Sequence, residues 1–151
     1  MNFVFQMMNS SFTYGQTLLT GVDVRNISGG GQVGDFKCLE DPFIFRHKSG
    51  SYHMIMHNQV GDFSGAHGFS TDGRNWSLSP TPAYTKTVKF ADGTSKGLYR
   101  REEPKLLLQG GTGTGEPRRA THLFNAACEN NQQCGEVLAV PIEPAIELWE
   151  R

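Results

Sequence analysis

Two short acidic segments that end in proline constrain the fold of this chain more than any other feature of its sequence. They are Glu40-Asp41-Pro42 and Glu102-Glu103-Pro104. Each is followed by an apolar stretch, a glycine-containing turn and a second stretch that contains histidine. The two prolines lie 62 positions apart, which suits one β-propeller blade with a generous loop. The repeated order of residues therefore predicts two copies of one β-structural unit.

The first copy is predicted to be a β-hairpin. An apolar stretch, residues 43–45, follows the proline, and a turn is predicted at residues 48–51. Residues 52–57 then alternate, so that Met54 and Met56 share one face of the strand and three other side chains, two of them histidines, share the other. The two methionines are expected to fill the core.

A tight turn is predicted at Ser70-Thr71-Asp72-Gly73-Arg74-Asn75-Trp76. Asp72-Gly73 supplies the positive φ that a hairpin turn requires, and the Ser70 hydroxyl is expected to bond to the turn backbone. Trp76 is expected to fold back over the hairpin. The pattern Ser-x-Asp-Gly-x-x-Trp is typical of outer hairpins of β-propeller blades. It differs from the sialidase Asp-box, which places one residue between Asp and Gly.

The remaining segments continue the β pattern. Strands are predicted at residues 83–91, 106–108, 122–127 and 137–140, with a short helical turn after Pro141. The chain has 151 residues, of which 37% are hydrophobic, with 18 glycines and 7 prolines. This composition favours short strands joined by many turns, so an all-β fold is expected. We divide the chain into a partial blade or linker at 1–35, propeller blades at 36–142 and a C-terminal tail at 143–151.

Charge and hydropathy exclude two classes of partner. The net charge of −1 and the scattered lysines argue against a nucleic-acid binder. No run approaches the roughly 18 apolar residues of a membrane span. The N-terminal residues lack the pattern of a signal peptide, whereas sequons at Asn9, Asn26 and Asn75 are compatible with secretion, so localisation stays open.

Three cysteines allow one internal disulfide and one leftover thiol. Cys128 and Cys134 can close a small loop, which leaves Cys38. Their spacing matches no zinc pattern, and no metal or cofactor is predicted.

The order of these motifs resembles the arabinanase/β-xylosidase-like glycoside hydrolases and their invertase and levansucrase relatives. The residues that carry the resemblance are Glu40-Asp41-Pro42-Phe43, Tyr52-His53, Gly65-Ala66-His67-Gly68-Phe69-Ser70, Asp72-Gly73, Trp76 and Arg100-Arg101-Glu102-Glu103-Pro104. Members of that clan are five-bladed β-propellers. Since full members need about 300 residues or more, the resemblance implies a partial propeller of two to three blades, each an antiparallel four-stranded sheet. The chain would then be a fragment, a truncated member or a degenerate copy.

The resemblance also implies candidate catalytic residues. Members carry three acidic residues around an axial cavity: a base Asp, an Asp that modulates the pKa, and an acid Glu. The second corresponds to Asp41 and the third to Glu102. The family pattern has arginine where this chain has Glu103, which places another carboxylate beside the acid. The first-blade Asp has no motif-bearing counterpart, and Asp23 and Asp35 are candidates by position alone.

Glycoside hydrolysis with inversion of configuration would use a pair of carboxyl groups such as these. One carboxylic acid protonates the leaving oxygen while one carboxylate activates water, and the two lie no more than about 10 Å apart. We therefore expect Asp41 and Glu102 to face one cavity. The alternative for Glu102 is a surface glutamate paired with Arg100 or Arg101, and for Asp41 it is ordinary turn chemistry. Glu40 and Glu103 are expected to act as neighbours or ion-pair partners.

A carbohydrate is the expected partner, and a set of polar side chains is expected to bind it. His67 is the preferred ligand-facing residue, and the fork of donors on Arg101 suits a carboxylate or a sugar hydroxyl. Further candidates are His53, His57 and His122, for each of which the alternative is a hydrogen-bonded structural histidine.

Three functions are compatible with these residues. The first is a glycosidase-type propeller that is active when its remaining blades are present. The second is a carbohydrate-binding or scaffold module that has lost the reaction, which the missing first-blade Asp favours. The third, a sialidase-like blade set, is disfavoured because neither its Asp-box spacing nor its arginine triad is found.

Overall fold

The computed structural model describes residues 39–58, 65–111, 117–131 and 134–149, and these residues form an all-β, antiparallel structure. The predicted segment 1–35, with Asp23 and Asp35, lies outside the described residues, as does Cys38. No helix long and apolar enough to cross a membrane occurs among the described residues.

In the described part of the chain, nine strands form three sheets. The first sheet is a four-stranded meander, β1-β2-β3-β4, of Leu39–Arg46, Tyr52–Asn58, Gly65–Ser70 and Ser77–Leu78. A two-stranded hairpin follows, made of β5 (Thr87–Lys89) and β6 (Ser95–Gly97). The third sheet is a three-stranded meander, β7-β8-β9, of Arg100–Gln109, Arg119–Cys128 and Cys134–Glu147.

The predicted hairpin turns are confirmed by their hydrogen bonds. Gly73 has a φ of 75°, and its N–H donates to the Ser70 hydroxyl at 2.9 Å. Asp72 Oδ1 accepts from the backbone N–H groups of Arg74 and Asn75, each at 2.8 Å. Trp76 folds back and donates from its indole nitrogen to the Gly73 carbonyl at 3.2 Å. These bonds satisfy the turn backbone, so the turn between β3 and β4 is determined locally.

Two apolar clusters hold the sheets together. Met54, Met56 and Ala66 are buried, and Ile44 and Trp76 are among the apolar side chains packed against them, which confirms the methionines as core residues. The second cluster contains Val88, Leu98 and Ala127, with side chains of β9 against it. Burying a side chain such as methionine stabilises a fold by about 1.5–3 kcal/mol, so the first cluster stabilises the first sheet and the second holds the β5-β6 hairpin against the third sheet.

The end of the chain differs from the prediction. The strand expected at 137–140 runs from Cys134 to Glu147, and no helical turn follows Pro141 as far as residue 149, where the described residues end. Because β9 lies at a sheet edge, Pro141 and Pro144 remove no ladder hydrogen bond that the sheet needs. Beyond β9 the chain pairs with the end of β1 and the residue after it: Leu148 bridges His47, and the Trp149 N–H donates to the Arg46 carbonyl at 2.9 Å. The third sheet therefore has three described strands rather than the four expected.

Two other predictions are settled by the structure. The strand predicted at 83–91 is shortened to β5, because residues 83 and 84 instead bond to the backbone of Gly65. The predicted pairing of the last two cysteines is confirmed: a disulfide joins Cys128 to Cys134, which lie opposite each other on β8 and β9.

Candidate functional site

The two proline segments form the same bulge in two different sheets. Opposite β2, Glu40 pairs with His57 and Phe43 pairs with Ile55, so Asp41 and Pro42 together oppose one residue. The bulged Asp41 has a φ of 52°. Such a bulge bends the strand and redirects its side chains, and a positive φ at a non-glycine residue is a strained conformation.

The second bulge repeats this geometry. Glu102 pairs with Ala126 and Lys105 with Phe124, and the bulged Glu103 has a φ of 49°. Glu103 therefore corresponds in position to Asp41. Glu102, the predicted acid, corresponds instead to Glu40. The predicted repeat is confirmed in its backbone. The two candidate catalytic carboxylates, Asp41 and Glu102, do not occupy the same position of the repeat, because Glu102 stands one position earlier than the equivalent of Asp41.

The repeat extends to the histidines. His53 lies opposite Phe45 in the first sheet, and His122 lies opposite Leu107 in the third. Counted from each bulge, these two pairs occupy the same position. The structure therefore places both predicted histidines at equivalent points of two sheets, not side by side.

Tyr84 is a buried tyrosine that contacts both β3 and β7. Its ring lies over Gly65, and its hydroxyl donates to the Arg101 carbonyl at 3.2 Å. Burial raises the pKa of the Tyr84 phenol well above its usual range, and the negative charges of Asp41 and Glu102 act in the same direction, against the opposing effect of Arg101.

Arg101 is buried and makes its contacts inside the protein. It is 4% exposed, and its Nη2 donates to Asn125 Oδ1 at 2.7 Å while its Nη1 donates to the Thr85 carbonyl at 2.8 Å. Its guanidinium carbon lies 4.7 Å from the centre of the Tyr84 ring. Burial lowers the pKa of Arg101. The guanidinium predicted to bind a sugar thus holds Tyr84 and Asn125 in place.

Glu102 is half-buried at the edge of this cluster. Its Oε1 accepts from Arg100 Nη1 at 2.8 Å, which matches one of the pairings considered for it from the sequence. Its Oε2 lies 3.8 Å from Sγ of Cys128, which is disulfide-bonded and donates no proton. The carbonyl of Glu102 accepts from Asn125 Nδ2 at 3.2 Å. The side chain and backbone of Glu102 are therefore both fixed by neighbours.

His53 and His67 are brought together on one face of the first sheet. His53 Nδ1 lies 2.9 Å from His67 Nε2, and the two rings are stacked at an angle of 5°. Ser51 Oγ lies 3.0 Å from His53 Nε2, and Phe45 stacks on the other side of His53. His122 is not part of this pair of histidines. Its Nδ1 lies 3.1 Å from Thr121 Oγ1, on its own strand.

We expect the stacked histidines to make the protein less stable in mild acid. Burial lowers the pKa of both His53 and His67, and each lies below the ordinary value of 6.5. The unfolded chain therefore binds more protons than the folded one, and stability is complete above pH 6.5 and falls as the pH drops below it. The slope is at most about 1.36 kcal/mol per pH unit for each histidine, reduced by solvent screening.

Denaturant unfolding between pH 5 and pH 8 measures this slope, above the range in which carboxylates titrate. The double variant His53→Gln/His67→Gln should flatten the dependence. Equal slopes for the variant and the unaltered chain would show that these histidines do not cause it.

An open cleft of about 560 Å³ lies at the opposite end of β1 from the bulge. Arg46 is held there between two aromatic rings, at 4.0 Å from the centre of Trp149 and 5.0 Å from that of Tyr52. The described residues that line it also include Phe43, Ile44, Phe45, Leu108, Gly111, Arg118 and Leu148. Aromatic rings beside a cation suit a ligand that has both apolar faces and hydroxyl groups.

Sequence reasoning missed Tyr84 and Asn125, and it did not connect His57 with the carboxylates. Tyr84 stands without a motif near the start of the strand predicted at residues 83–91, and its place depends on contact with Gly65, 19 positions earlier. Asn125 occupies an ordinary strand position and is 1% exposed. No local signal could have identified either residue.

Comparison of the sequence with models of known protein families gave no match, and searches among curated proteins and among solved structures gave no significant match.

Proposed function

We propose that the two meanders are neighbouring blades of a five-bladed β-propeller and that a carbohydrate binds where the two blades meet. In this proposal Asp41 and Glu102 form a glycosidase-type acid pair. The observation that carries the proposal is that an acidic bulge recurs at the same position on β1 and on β7, two strands of different sheets that pack against each other. Each carboxylate comes from a different sheet, so the distance between them depends on how the sheets pack.

The backbone arrangement supports the propeller part of the proposal. Each sheet is an antiparallel meander whose first strand carries a proline bulge, and β1 packs against β7. In a propeller the first strand of each blade lines the central channel. Acidic side chains at the bulge of each first strand would then face that channel, as the sequence resemblance implies.

The reaction would use these two carboxylates together with a third one. For inversion, one group gives a proton to the leaving glycosidic oxygen and the other removes a proton from the attacking water. Glu102 is assigned the first role and Asp41 a supporting role beside it. A third carboxylate would activate the water, with Asp23 and Asp35 as the candidates.

Hydrolysis of a panel of aryl glycosides and polysaccharides tests this proposal. Glu102→Gln should lower kcat/KM by a factor of about 100 or more, because general acid–base groups contribute factors of that size, and Asp41→Asn should also lower it, because Asp41 supports that acid. Glu103→Gln is the matched control, because Glu103 lies next to Glu102 in the same bulge but has no assigned role in the reaction. It should leave kcat/KM nearly unchanged. Equal losses in all three variants, or none, would contradict the assignment.

A second candidate function is carbohydrate binding without hydrolysis. The ion pair between Glu102 and Arg100 favours it, because a carboxylate occupied in this way is not free to deliver a proton. In this function the oligosaccharide would bind in the cleft that Arg46 and Trp149 help to line. Oligosaccharide titration followed by NMR separates the two, since Trp149→Ala should abolish binding in the cleft and leave binding at the acid pair intact.

A further inference from the structure

His57 is a buried polar residue that the proposed acid pair does not use. It is 0% exposed, and neither Nδ1 nor Nε2 has a hydrogen-bond partner among the described residues. Leaving a buried polar group unpaired costs about 1–3 kcal/mol. Such a group indicates strain, a functional role or a missing ligand.

Two carboxylates lie beside this imidazole. Glu40 Oε2 is 3.6 Å from His57 Nδ1, and ligand atoms of Glu40, Asp41 and His57 all lie within 4.8 Å of one another. Adjacent side chains of a regular strand point to opposite faces, so Glu40 and Asp41 would normally be separated. The bulge at Asp41 removes that separation and brings both carboxylates to the imidazole.

We propose that Glu40, Asp41 and His57 bind one divalent transition-metal ion. The site supplies one imidazole nitrogen and two carboxylate oxygens, a donor set that suits Zn²⁺ and its neighbours better than Mg²⁺ or Ca²⁺, which prefer oxygen alone. Metal–ligand bonds of about 2.0–2.2 Å place two ligand atoms of a tetrahedral site roughly 3.4 Å apart. The distance of 3.6 Å between Glu40 Oε2 and His57 Nδ1 is close to that spacing.

The second bulge shows what distinguishes this site. There Glu102 and Glu103 repeat the two acids, but the residue opposite Glu102 is Ala126 instead of histidine. Of the two bulges, only the one in the first sheet therefore has a nitrogen donor opposite its first acid. Acid pairs at a bulge do not by themselves make a metal site, and His57 is the residue that adds the required donor.

The surroundings of His57 restrict access by water. Gly65 lies opposite His57 on β3, and paired residues of a ladder point to the same face. The Tyr84 ring occupies the space that a side chain at Gly65 would fill. One side of the site is thus closed by an aromatic ring, whereas the Glu40 side chain is 29% exposed, so an ion can reach the site from the side of the carboxylates.

Isothermal titration of the chain with Zn²⁺ tests the proposal, after EDTA treatment and without carbohydrate. The titration is performed in a His53→Gln/His67→Gln background, because the stacked histidines offer Zn²⁺ other ligands. We expect one ion per chain. His57→Gln should lower the affinity at least about 100-fold, since even outer contacts of a metal ligand are worth 10–100-fold.

Asp41→Asn keeps the test decisive if His57→Gln does not fold, because asparagine tolerates the positive φ as well as aspartate does. It should lower the affinity for Zn²⁺ by at least about 10-fold, whereas the exposed control Glu143→Gln should leave it unchanged. Absence of Zn²⁺ binding, unchanged affinity in Asp41→Asn, or Mg²⁺ binding as tightly as Zn²⁺ would overturn the proposal. Because no carbohydrate is present, failure here is distinct from failure of the proposed acid pair.

Discussion

Replacing Arg101 with methionine will lower the free energy of unfolding by about 3 kcal/mol. The two side chains have similar volume, so the loss comes from hydrogen bonds. Without the guanidinium, Asn125 Oδ1 and the Thr85 carbonyl lose donors at 2.7 and 2.8 Å. An unpaired buried acceptor such as Asn125 Oδ1 costs about 1–3 kcal/mol, and losing the bond to the carbonyl of the exposed Thr85 adds a smaller amount, so together they outweigh the relief of removing a buried charge.

Urea unfolding measures this loss, with Arg119→Met as the matched control. Arg119 is an exposed arginine on β8, so its replacement should change the free energy by less than about 0.5 kcal/mol. Arg101→Lys should also be destabilised, because lysine keeps the charge but cannot present two donors in a fixed fork. A stable Arg101→Met chain would show that the buried charge costs as much as its hydrogen bonds contribute.

Replacing Gly65 with alanine will destabilise the protein by about 2–3 kcal/mol. A Cβ at this position would lie 2.2 Å from Tyr84 Cε1 and 2.3 Å from Cδ1, far inside contact distance. The backbone cannot give way easily, since the Gly65 N–H donates to the Tyr84 carbonyl at 2.8 Å and its carbonyl accepts from Ala83 at 2.9 Å. The ring must therefore leave its place.

A double-mutant cycle identifies this cause. Tyr84→Ser removes the ring, so Gly65→Ala should cost much less in that background, and the coupling energy should exceed about 1 kcal/mol. Gly97→Ala is the control, because a Cβ there meets nothing within 4 Å. Additive effects of the two changes would mean that Gly65 matters for some reason other than the space that Tyr84 occupies.

Arg101 and Gly65 belong to one cluster of contacts around Tyr84. Gly65 and Tyr84 join β3 to the loop before β5, and Arg101 and Asn125 join that loop to β7 and β8. The carboxylates of Asp41 and Glu102 act on the phenol at the centre of this cluster. Loss of the cluster should therefore weaken the proposed carbohydrate site together with the fold.

Much of the local structure could be predicted from the sequence. The alternation of residues 52–57 predicted a strand with Met54 and Met56 in the core, and both are 2% exposed. Turn chemistry predicted the positive φ of Gly73. The strand ending at Glu147 was predicted too short, because prolines usually end strands and only the position of β9 at a sheet edge tolerates them.

The sequence by itself determined the hairpins and their turns, because each depends on residues a few positions apart, whereas the bulges at the two proline segments appear only in the paired strands. The tertiary structure alone decided that Tyr84 lies over Gly65, that Arg101 is buried inside the protein, and that His57 has two carboxylates beside it. Those outcomes depend on which segments meet when the sheets pack. Burial and charge at such a meeting point come from residues that no local pattern connects.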